Sequence, residues 1–167
     1  PDLDNEVHPY FRTVTSPQVF ARQIAFLRAS GYSAINLSQA IEQLGGATGN
    51  AMLGAPKVVI TFDDGFEDFY TEAFPVLERA GFTATVFLAS DFIGKPFFTG
   101  RACLNVAQVR ELAGKGIEFG SHSASHRRLV ELRTDELEEE LSGSKAAIED
   151  IVGREVALFS YPYRFPE

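Results

Sequence analysis

Two short stretches of the chain concentrate side chains that can bind a metal ion or transfer a proton. The first is a pair of adjacent carboxylates, Asp63 and Asp64, directly after an apolar run. The second, GSHSASH at residues 120–126, holds two of the three histidines, His122 and His126. A hydrolytic metal site needs about three protein ligands and an open position for water, and imidazole with carboxylate suits zinc and neighbouring first-row metals. Asp64, His122 and His126 are therefore predicted as the ligands.

Asp63 is predicted to have a different task from Asp64. Successive side chains on a strand point to opposite sides, so two adjacent acids at a strand end are not equivalent. A bound cation lowers the pKa of its water, and a nearby carboxylate that does not bind the ion can take the proton as general base. Asp63 is the candidate for that base.

Each stretch has a plainer explanation when taken alone. Asp-Gly pairs mark turns, and a turn after a strand explains Asp64 and Gly65 without any ligand. Two histidines four residues apart, His122 and His126, can equally share a helix face or a loop without binding anything. The metal hypothesis is favoured because both stretches follow predicted strands and would meet at one edge of a parallel sheet.

The elements around these stretches indicate an α/β fold. Residues 58–62 are β-branched or aromatic and nearly all apolar, which is typical of a strand buried on both faces. Strands alternating with helices imply parallel strands and crossover helices. Too few strands are predicted to close a typical barrel of about eight, so the prediction is an incomplete parallel (β/α) barrel. The five predicted strands lie near residues 33–37, 57–62, 83–89, 117–120 and 156–160.

Helices are predicted between these strands from caps and apolar spacing. Ser16 caps the first helix, and Ser38 caps the second, with Ile41 and Leu44 on its buried face. Thr134 caps a long helix to about residue 152, whose acidic residues 138–140 are predicted to be solvated. Residues 1–16 are predicted to be irregular. Further helices are predicted within residues 66–80, starting as a regular helix near Pro75, and at 106–115. Gly81 and Gly153 are predicted to end the helices that precede them.

Composition restricts the class of partner. The 167 residues carry a net charge of −8, which argues against a nucleic-acid backbone as the main partner. No apolar run approaches the roughly 20 residues that a membrane span needs. A neutral polymer remains compatible with this charge, and the sequence makes no prediction of oligomeric state.

The chain resembles the polysaccharide deacetylase (NodB-homology) family, carbohydrate esterase family four. TFDDG at residues 61–65, followed by FPVLERAGFTATVFL at 74–88, is similar to its first motif. SHSASHRRL at residues 121–129 resembles its second motif, and SYPY at 160–163 the end of its third. The similarity covers the chain from about Ser16 and implies one domain over residues 1–167 with the family's distorted barrel.

The resemblance implies a role for each matching residue. Asp63 matches the catalytic base, and Asp64, His122 and His126 match the ligands of one divalent ion, zinc first, with cobalt or nickel as alternatives. The backbone N–H of Tyr163 matches a donor to the oxyanion. The implied reaction is hydrolysis of an acetyl group from N-acetylglucosamine-type units of a polysaccharide or oligosaccharide, with a histidine acid protonating the leaving amine.

Departures from the family pattern keep alternatives open. Phe159 stands where the family often has an arginine that orients the base, and Arg164, just after the motif, could compensate, although nothing in the sequence shows that it does. The chain has no tryptophan and no histidine after His126, so the later motifs and the general acid lack counterparts, which predicts truncation at the carboxyl end. The alternatives are an O-acetyl-xylan esterase, a small-amide hydrolase, or a non-catalytic carbohydrate-binding or scaffold module with an incomplete site.

Substrate contacts and location are expectations from the same resemblance. Tyr163, Pro162 and Phe66 are predicted to contact the sugar. Phe97 and Phe98 could also stack on sugar rings, although core packing explains the phenylalanines equally well. The substrate class implies an extracytoplasmic or cell-envelope location, with the cytoplasm as the alternative.

Overall fold

The computed structural model describes residues 15–45 and 54–163 of the chain. The predicted lead-in, apart from its last two residues, lies outside this part. The α-helices are α1 (Pro17–Ala29), α2 (Leu37–Gly45), α3 (Phe74–Ala80), α4 (Val106–Gly114), α5 (Thr134–Glu138) and α6 (Ser144–Val152). The strands are β1 (Ser33–Ala34), β2 (Lys57–Val58), β3 (Thr61–Phe62), β4 (Thr85–Leu88) and β5 (Glu118–Ser121). Two π-helical segments, Phe69–Ala73 and Glu139–Gly143, precede α3 and α6.

The strands are all parallel, as predicted. β1 pairs with β2, and β3, β4 and β5 form a second sheet in that order. β2 and β3 follow one another within residues 57–62. The start of this segment therefore pairs with β1, and its end pairs with β4. The few parallel strands, with helices between them, confirm an α/β fold consistent with an incomplete barrel.

The central strand is shorter and more exposed than predicted. The predicted strand 57–62 is divided into β2 and β3, and its buried-on-both-faces character is wrong. Val58, Ile60 and Phe62 are only half-buried, and Thr61 is exposed. The reason is that one side of this segment faces open space: Ile60, Thr61 and Phe62 line a large cleft.

The last predicted strand, 156–160, is also wrong as an element. It is reduced to one parallel bridge between Phe159 and Ser121. Ser121 donates its N–H to the Leu158 carbonyl at 2.9 Å, and Ser160 donates to the Ser121 carbonyl at 2.9 Å. Two backbone hydrogen bonds hold the segment beside β5, too few for a continuous ladder.

The core lies between the sheet and the helices packed on its outer side. β4 is buried at every residue, as a central parallel strand should be. The fully buried side chains around it come from α3, α4, α6 and the segments before β4 and β5: Leu77, Ala84, Val109, Leu112, Ile117 and Ile148. This packing holds the carboxyl ends of β3, β4 and β5 together.

Several predicted helix boundaries are confirmed. Ser16 caps α1 and accepts a hydrogen bond from the Val19 N–H. Gly81 and Gly153 follow α3 and α6 in the left-handed conformation that ends helices. The regular part of the 66–80 helix begins at Phe74, beside Pro75, as the proline position indicates.

The predicted caps of α2 and α5 are wrong. Asn36, rather than Ser38, accepts the Gln39 N–H at 2.9 Å. The first N–H groups of α2 donate to Glu118 Oε2, which ties this end of the helix to β5. Anchored in this way, α2 turns Ile41 and Leu44 outward, so both are exposed rather than buried.

At α5, Arg133 occupies the capping position and Thr134 is the first helical residue. The Arg133 N–H donates to Glu136 Oε2 at 3.1 Å. The Glu136 carboxylate, three residues after the capping position, therefore accepts the N–H of the capping residue, whereas the predicted cap relied on the Thr134 hydroxyl to accept an N–H from within the helix.

Gly65→Ala is expected to destabilise the fold by about 2–4 kcal/mol. Gly65 has φ of +69°, and a Cβ there would collide with the Leu88 side chain. The cost combines a left-handed alanine with overpacking against a buried leucine, and chemical unfolding measures it. Gly114→Ala is the control, because Gly114 has no positive φ and open space around it. Equal stabilities of the two variants would contradict the prediction.

Candidate functional site

The predicted site residues meet at the carboxyl ends of the parallel strands. Asp63 and Asp64 follow β3, His122 follows β5, and β4 lies between these two strands. They line a cleft of about 910 Å³ together with His126 and Tyr163. The order of the strands therefore unites groups that are far apart in the sequence, as expected at this edge of an α/β sheet.

Three ligand atoms of the predicted metal set face one another. The ligand atoms of Asp64, His122 and His126 all lie within 4.8 Å of each other. Asp64 Oδ1 is 3.1 Å from His126 Nε2 and 3.5 Å from His122 Nε2. Despite these short separations, the geometry is not that of an N–H···O bond, and the buried Asp64 Oδ1 has no hydrogen-bond partner among the described residues.

The tautomer of His122 explains why its ring donates no hydrogen bond to this oxygen. His122 Nδ1 lies 2.9 Å from the Ser160 carbonyl oxygen, which can only accept, so Nδ1 carries the proton. Burial lowers the pKa of His122 and outweighs the Ser160 carbonyl, which raises it. The ring is therefore neutral near pH 7, with its Nε2 lone pair directed at the carboxylate. Lone pairs converging on one point fit a cation bound between them.

Aromatic rings surround His126 on the cleft side. Its ring centroid lies 5.2 Å from Phe97, 5.9 Å from Phe98 and 4.8 Å from Tyr163. Phe98 and Tyr163 are exposed. The loop before α4 thus brings Phe97 and Phe98 to the site and provides apolar surface next to the polar groups.

The backbone around the site adopts an uncommon conformation. Among the described residues, the non-glycine residues with positive φ are Asp64, Ser123, His126 and Tyr163. Each lies in or beside the predicted site, and a left-handed non-glycine residue costs about 1–2 kcal/mol. Such strain clusters where surrounding structure fixes a functional geometry.

Glu140 is buried, which corrects the prediction that residues 138–140 are solvated. Its carboxylate accepts the N–H groups of Ala124 and Ser125 at 2.9 and 2.8 Å, and also the Ser125 hydroxyl. Burial raises the pKa of Glu140, but hydrogen bonds from Ser125 and Ala124 outweigh it, so the pKa lies below its ordinary value. The π-helical segment shifts the helical phase and turns Glu140 inward, a shift that the spacing of apolar residues did not indicate.

The remaining predicted residues are placed as follows. Asp63 is exposed in the cleft, in contrast to the partly buried Asp64. Phe66 lines the cleft, with the Arg101 guanidinium 3.6 Å above its ring. Pro162 is buried and is not part of the cleft lining in the described structure. His8 and Arg164 lie outside the described residues.

Phe159 stands at the position where the resemblance implied an arginine. Its ring packs edge-to-face on Tyr161 at 5.1 Å, and its backbone forms the bridge to Ser121. The residue therefore contributes to packing beside β5 and supplies no charge.

Comparison with known proteins identifies relatives of the chain. YxkH of Bacillus subtilis (strain 168), whose name places it among the polysaccharide deacetylases, is 30% identical over 143 residues, covering 86% of this chain and 48% of YxkH. Poly-beta-1,6-N-acetyl-D-glucosamine N-deacetylase of Escherichia coli (strain K12) is 41% identical over 56 residues, covering 34% of this chain and 8% of that protein. The chain thus spans about half or less of these relatives' length.

A solved structure agrees with these relatives. IcaB from Ammonifex degensii superposes with a TM-score of 0.79 at 25% identity, covering 96% of this chain and 72% of that structure. The family model described as polysaccharide deacetylase matches residues 51–166, more than half of the chain and including every predicted ligand. The chain belongs to the polysaccharide deacetylase family.

Proposed function

We propose that this protein is a metal-dependent hydrolase that removes acetyl groups from N-acetylglucosamine-type units of a polysaccharide or oligosaccharide. The observation that carries the proposal is the convergence of Asp64, His122 and His126 beside the exposed carboxylate of Asp63 in an open cleft. Three ligands and a free carboxylate are what metal-assisted hydrolysis requires. The E. coli relative, named for a poly-N-acetylglucosamine substrate, supports the substrate class.

The residues proposed to hold the ion are Asp64 through Oδ1 and the two histidines through Nε2. A divalent ion held there would lower the pKa of water towards neutrality and polarise a carbonyl oxygen. Zinc is the first choice for an N,N,O ligand set, with cobalt or nickel as alternatives. The Ser160 carbonyl fixes the His122 ring by accepting its Nδ1 proton.

The chemical step assigns one role to each remaining group. Asp63 removes a proton from the water that adds to the acetamide carbon. The backbone N–H of Tyr163 donates to the oxyanion that develops on the carbonyl oxygen. The carbon–nitrogen bond then breaks as the nitrogen takes up the proton that Asp63 removed from the water, which releases the free amine and acetic acid, and the acid ionises to acetate.

The cleft suits a sugar chain better than a charged polymer. Tyr163 offers an exposed aromatic ring beside the proposed ligands, and the exposed Phe98 extends this surface. Phe66 also lines the cleft, with one face of its ring covered by the Arg101 guanidinium. Sugar rings stack on such faces through their apolar sides. The net charge of −8 disfavours nucleic acid as a partner. No helix in the described ranges combines the length and apolarity needed to cross a bilayer, and the substrate class supports a cell-envelope location.

Acetate release tests the proposal directly. The protein is expected to release acetate from N-acetylglucosamine oligomers, to lose this activity after treatment with a chelator, and to regain it when zinc is added. Coupled detection of acetate measures the rate, and O-acetylated xylan serves as the comparison substrate. Release from xylan alone would replace the proposal by an esterase. Metal binding with no release from either substrate would favour a binding module.

A further inference from the structure

The loop that carries two of the proposed metal ligands is held in a strained conformation. Between β5 and the short helix Leu129–Glu131, Ser123 has φ of 64° and His126 has φ of 57°. Residues 121–126 contain no glycine to accept such angles without cost. A loop of this kind persists only when its surroundings determine it, so specific contacts must hold it in place.

The Glu140 carboxylate occupies the middle of this loop. Its Oε2 accepts the consecutive N–H groups of Ala124 and Ser125, and its Oε1 accepts the Ser125 hydroxyl. Successive N–H groups that point at one anion form a nest, and bonds to an ionised acceptor are about twice as strong as neutral ones. These bonds lie between the two residues with positive φ, where they oppose relaxation of either one.

A second inward-facing residue of the same helical stretch extends the contact. Ser144, four residues after Glu140 and fully buried, donates its hydroxyl to the Ser123 carbonyl at 2.9 Å and lies 2.9 Å from the Ser121 hydroxyl. Ser123 in turn accepts the His126 N–H on its side-chain oxygen at 3.1 Å. Ser123 therefore links the helical stretch to the backbone of His126, its carbonyl bonded to Ser144 and its hydroxyl to the His126 N–H.

We propose that Glu140 is a positioning residue for the metal site, holding the 123–126 loop so that His126 Nε2 faces Asp64. The inference rests on the proposed metal site and adds a residue that itself touches neither ion nor substrate. Without the carboxylate, the N–H groups of Ala124 and Ser125 lose their acceptor, and the loop is free to relax away from its strained angles. His126 then leaves the ligand geometry while His122, held by Ser160, stays.

The test compares three variants of the same protein. Glu140→Ala removes the acceptor. Glu140→Gln keeps it, because the amide oxygen can accept both N–H groups while the amide NH₂ donates to the Ser125 oxygen. Glu139→Ala alters an exposed neighbour in the same π-helical segment. Zinc dissociation constants come from competition with a chromophoric chelator, and the visible spectrum of the cobalt-loaded protein reports the ligand geometry.

Glu140→Ala is expected to weaken zinc binding about 10–100-fold and to change the cobalt spectrum, as loss of an outer partner of a ligand does. Glu140→Gln is expected to restore affinity to within a few-fold of wild type, and Glu139→Ala to match wild type. The cobalt spectrum separates a positioning role from a loss of stability. A variant that is merely less stable would bind cobalt with the wild-type ligand geometry in its folded fraction and would give the wild-type spectrum. Circular dichroism of the metal-free variants establishes that they are folded.

Wild-type affinity and an unchanged cobalt spectrum in Glu140→Ala would overturn the inference. Should Glu140→Ala fail to fold, Ser125→Ala provides the second comparison, because it removes one of the three bonds and leaves the carboxylate in place. An unchanged zinc affinity and cobalt spectrum in Ser125→Ala would then count against the inference. Absence of zinc binding in the wild type would overturn the proposed function and, with it, the inference. Zinc binding in the wild type that Glu140→Ala leaves unchanged would overturn the inference alone.

Discussion

The His126→Ala variant is expected to lose its metal ion on dialysis and, with it, acetate release. The predicted site has three protein ligands, and removing a direct ligand should weaken binding by more than the roughly 10–100-fold typical for an outer partner. His126 is the sharper choice because its Nδ1 makes no hydrogen bond among the described residues. Removing the ring thus breaks no hydrogen bond of Nδ1, and it removes the Nε2 ligand together with ring contacts to Phe97 and Tyr163. Elemental analysis after dialysis measures the ion bound per chain.

His122→Ala would be harder to interpret. His122 is buried and bonds the Ser160 carbonyl, so its loss combines a missing ligand with an unpaired carbonyl in the interior. His8→Ala is the matched control for histidine content, since it removes the one histidine outside both motifs. Retention of one zinc ion per chain by His126→Ala would remove His126 from the ligand set and require another donor for the ion.

The Asp63→Asn variant is expected to keep the ion and lose turnover. General-base catalysis typically contributes about 10²–10⁴-fold, so acetate release should fall by that order. Asp63 is exposed in the cleft, whereas the neighbouring Asp64 is partly buried and faces both imidazoles. The two adjacent acids therefore separate into a base and a ligand, and metal content measured beside the rate distinguishes them.

Glu78→Gln is the control for loss of one carboxylate. Glu78 is an exposed residue that pairs with Lys115 and does not line the cleft, so its rate should equal that of wild type. A loss of metal in Asp63→Asn equal to that in His126→Ala would assign Asp63 to the ligand set. A wild-type rate in Asp63→Asn would remove it from the mechanism altogether.

The order of elements was predictable from local signals. Ser16, Gly81 and Gly153 mark helix ends through side-chain capping and the left-handed conformation, which depend on neighbouring residues in the chain. The prediction that Asp64, His122 and His126 meet followed from one topological rule, that parallel strands present their carboxyl ends at a common edge. The α/β fold and the family are confirmed, and the roles of the site residues remain predictions with the tests above.

Other features depended on contacts between distant segments. Ile41 and Leu44 have the spacing of a buried face, yet Glu118 and Asn36 anchor α2 so that both are exposed. Residues 57–62 have the composition of a fully buried strand, yet one side of the segment faces the cleft. Apolar patterns predict which residues can be buried, and the packing of neighbouring elements decides which of them are.

The candidate site residues were predictable from the sequence, because carboxylates and imidazoles follow two parallel strands whose carboxyl ends lie at the same edge of the sheet. The geometry of that site was decided only by the tertiary structure. The tautomer of His122 depends on the Ser160 carbonyl, and the strained loop that carries His126 depends on Glu140. In the sequence, Glu140 is indistinguishable from a solvated helical acid, and it is the π-helical segment that turns it inward. Burial of a charge requires hydrogen-bond donors, and only the folded chain brings the donors of Ala124 and Ser125 to this carboxylate.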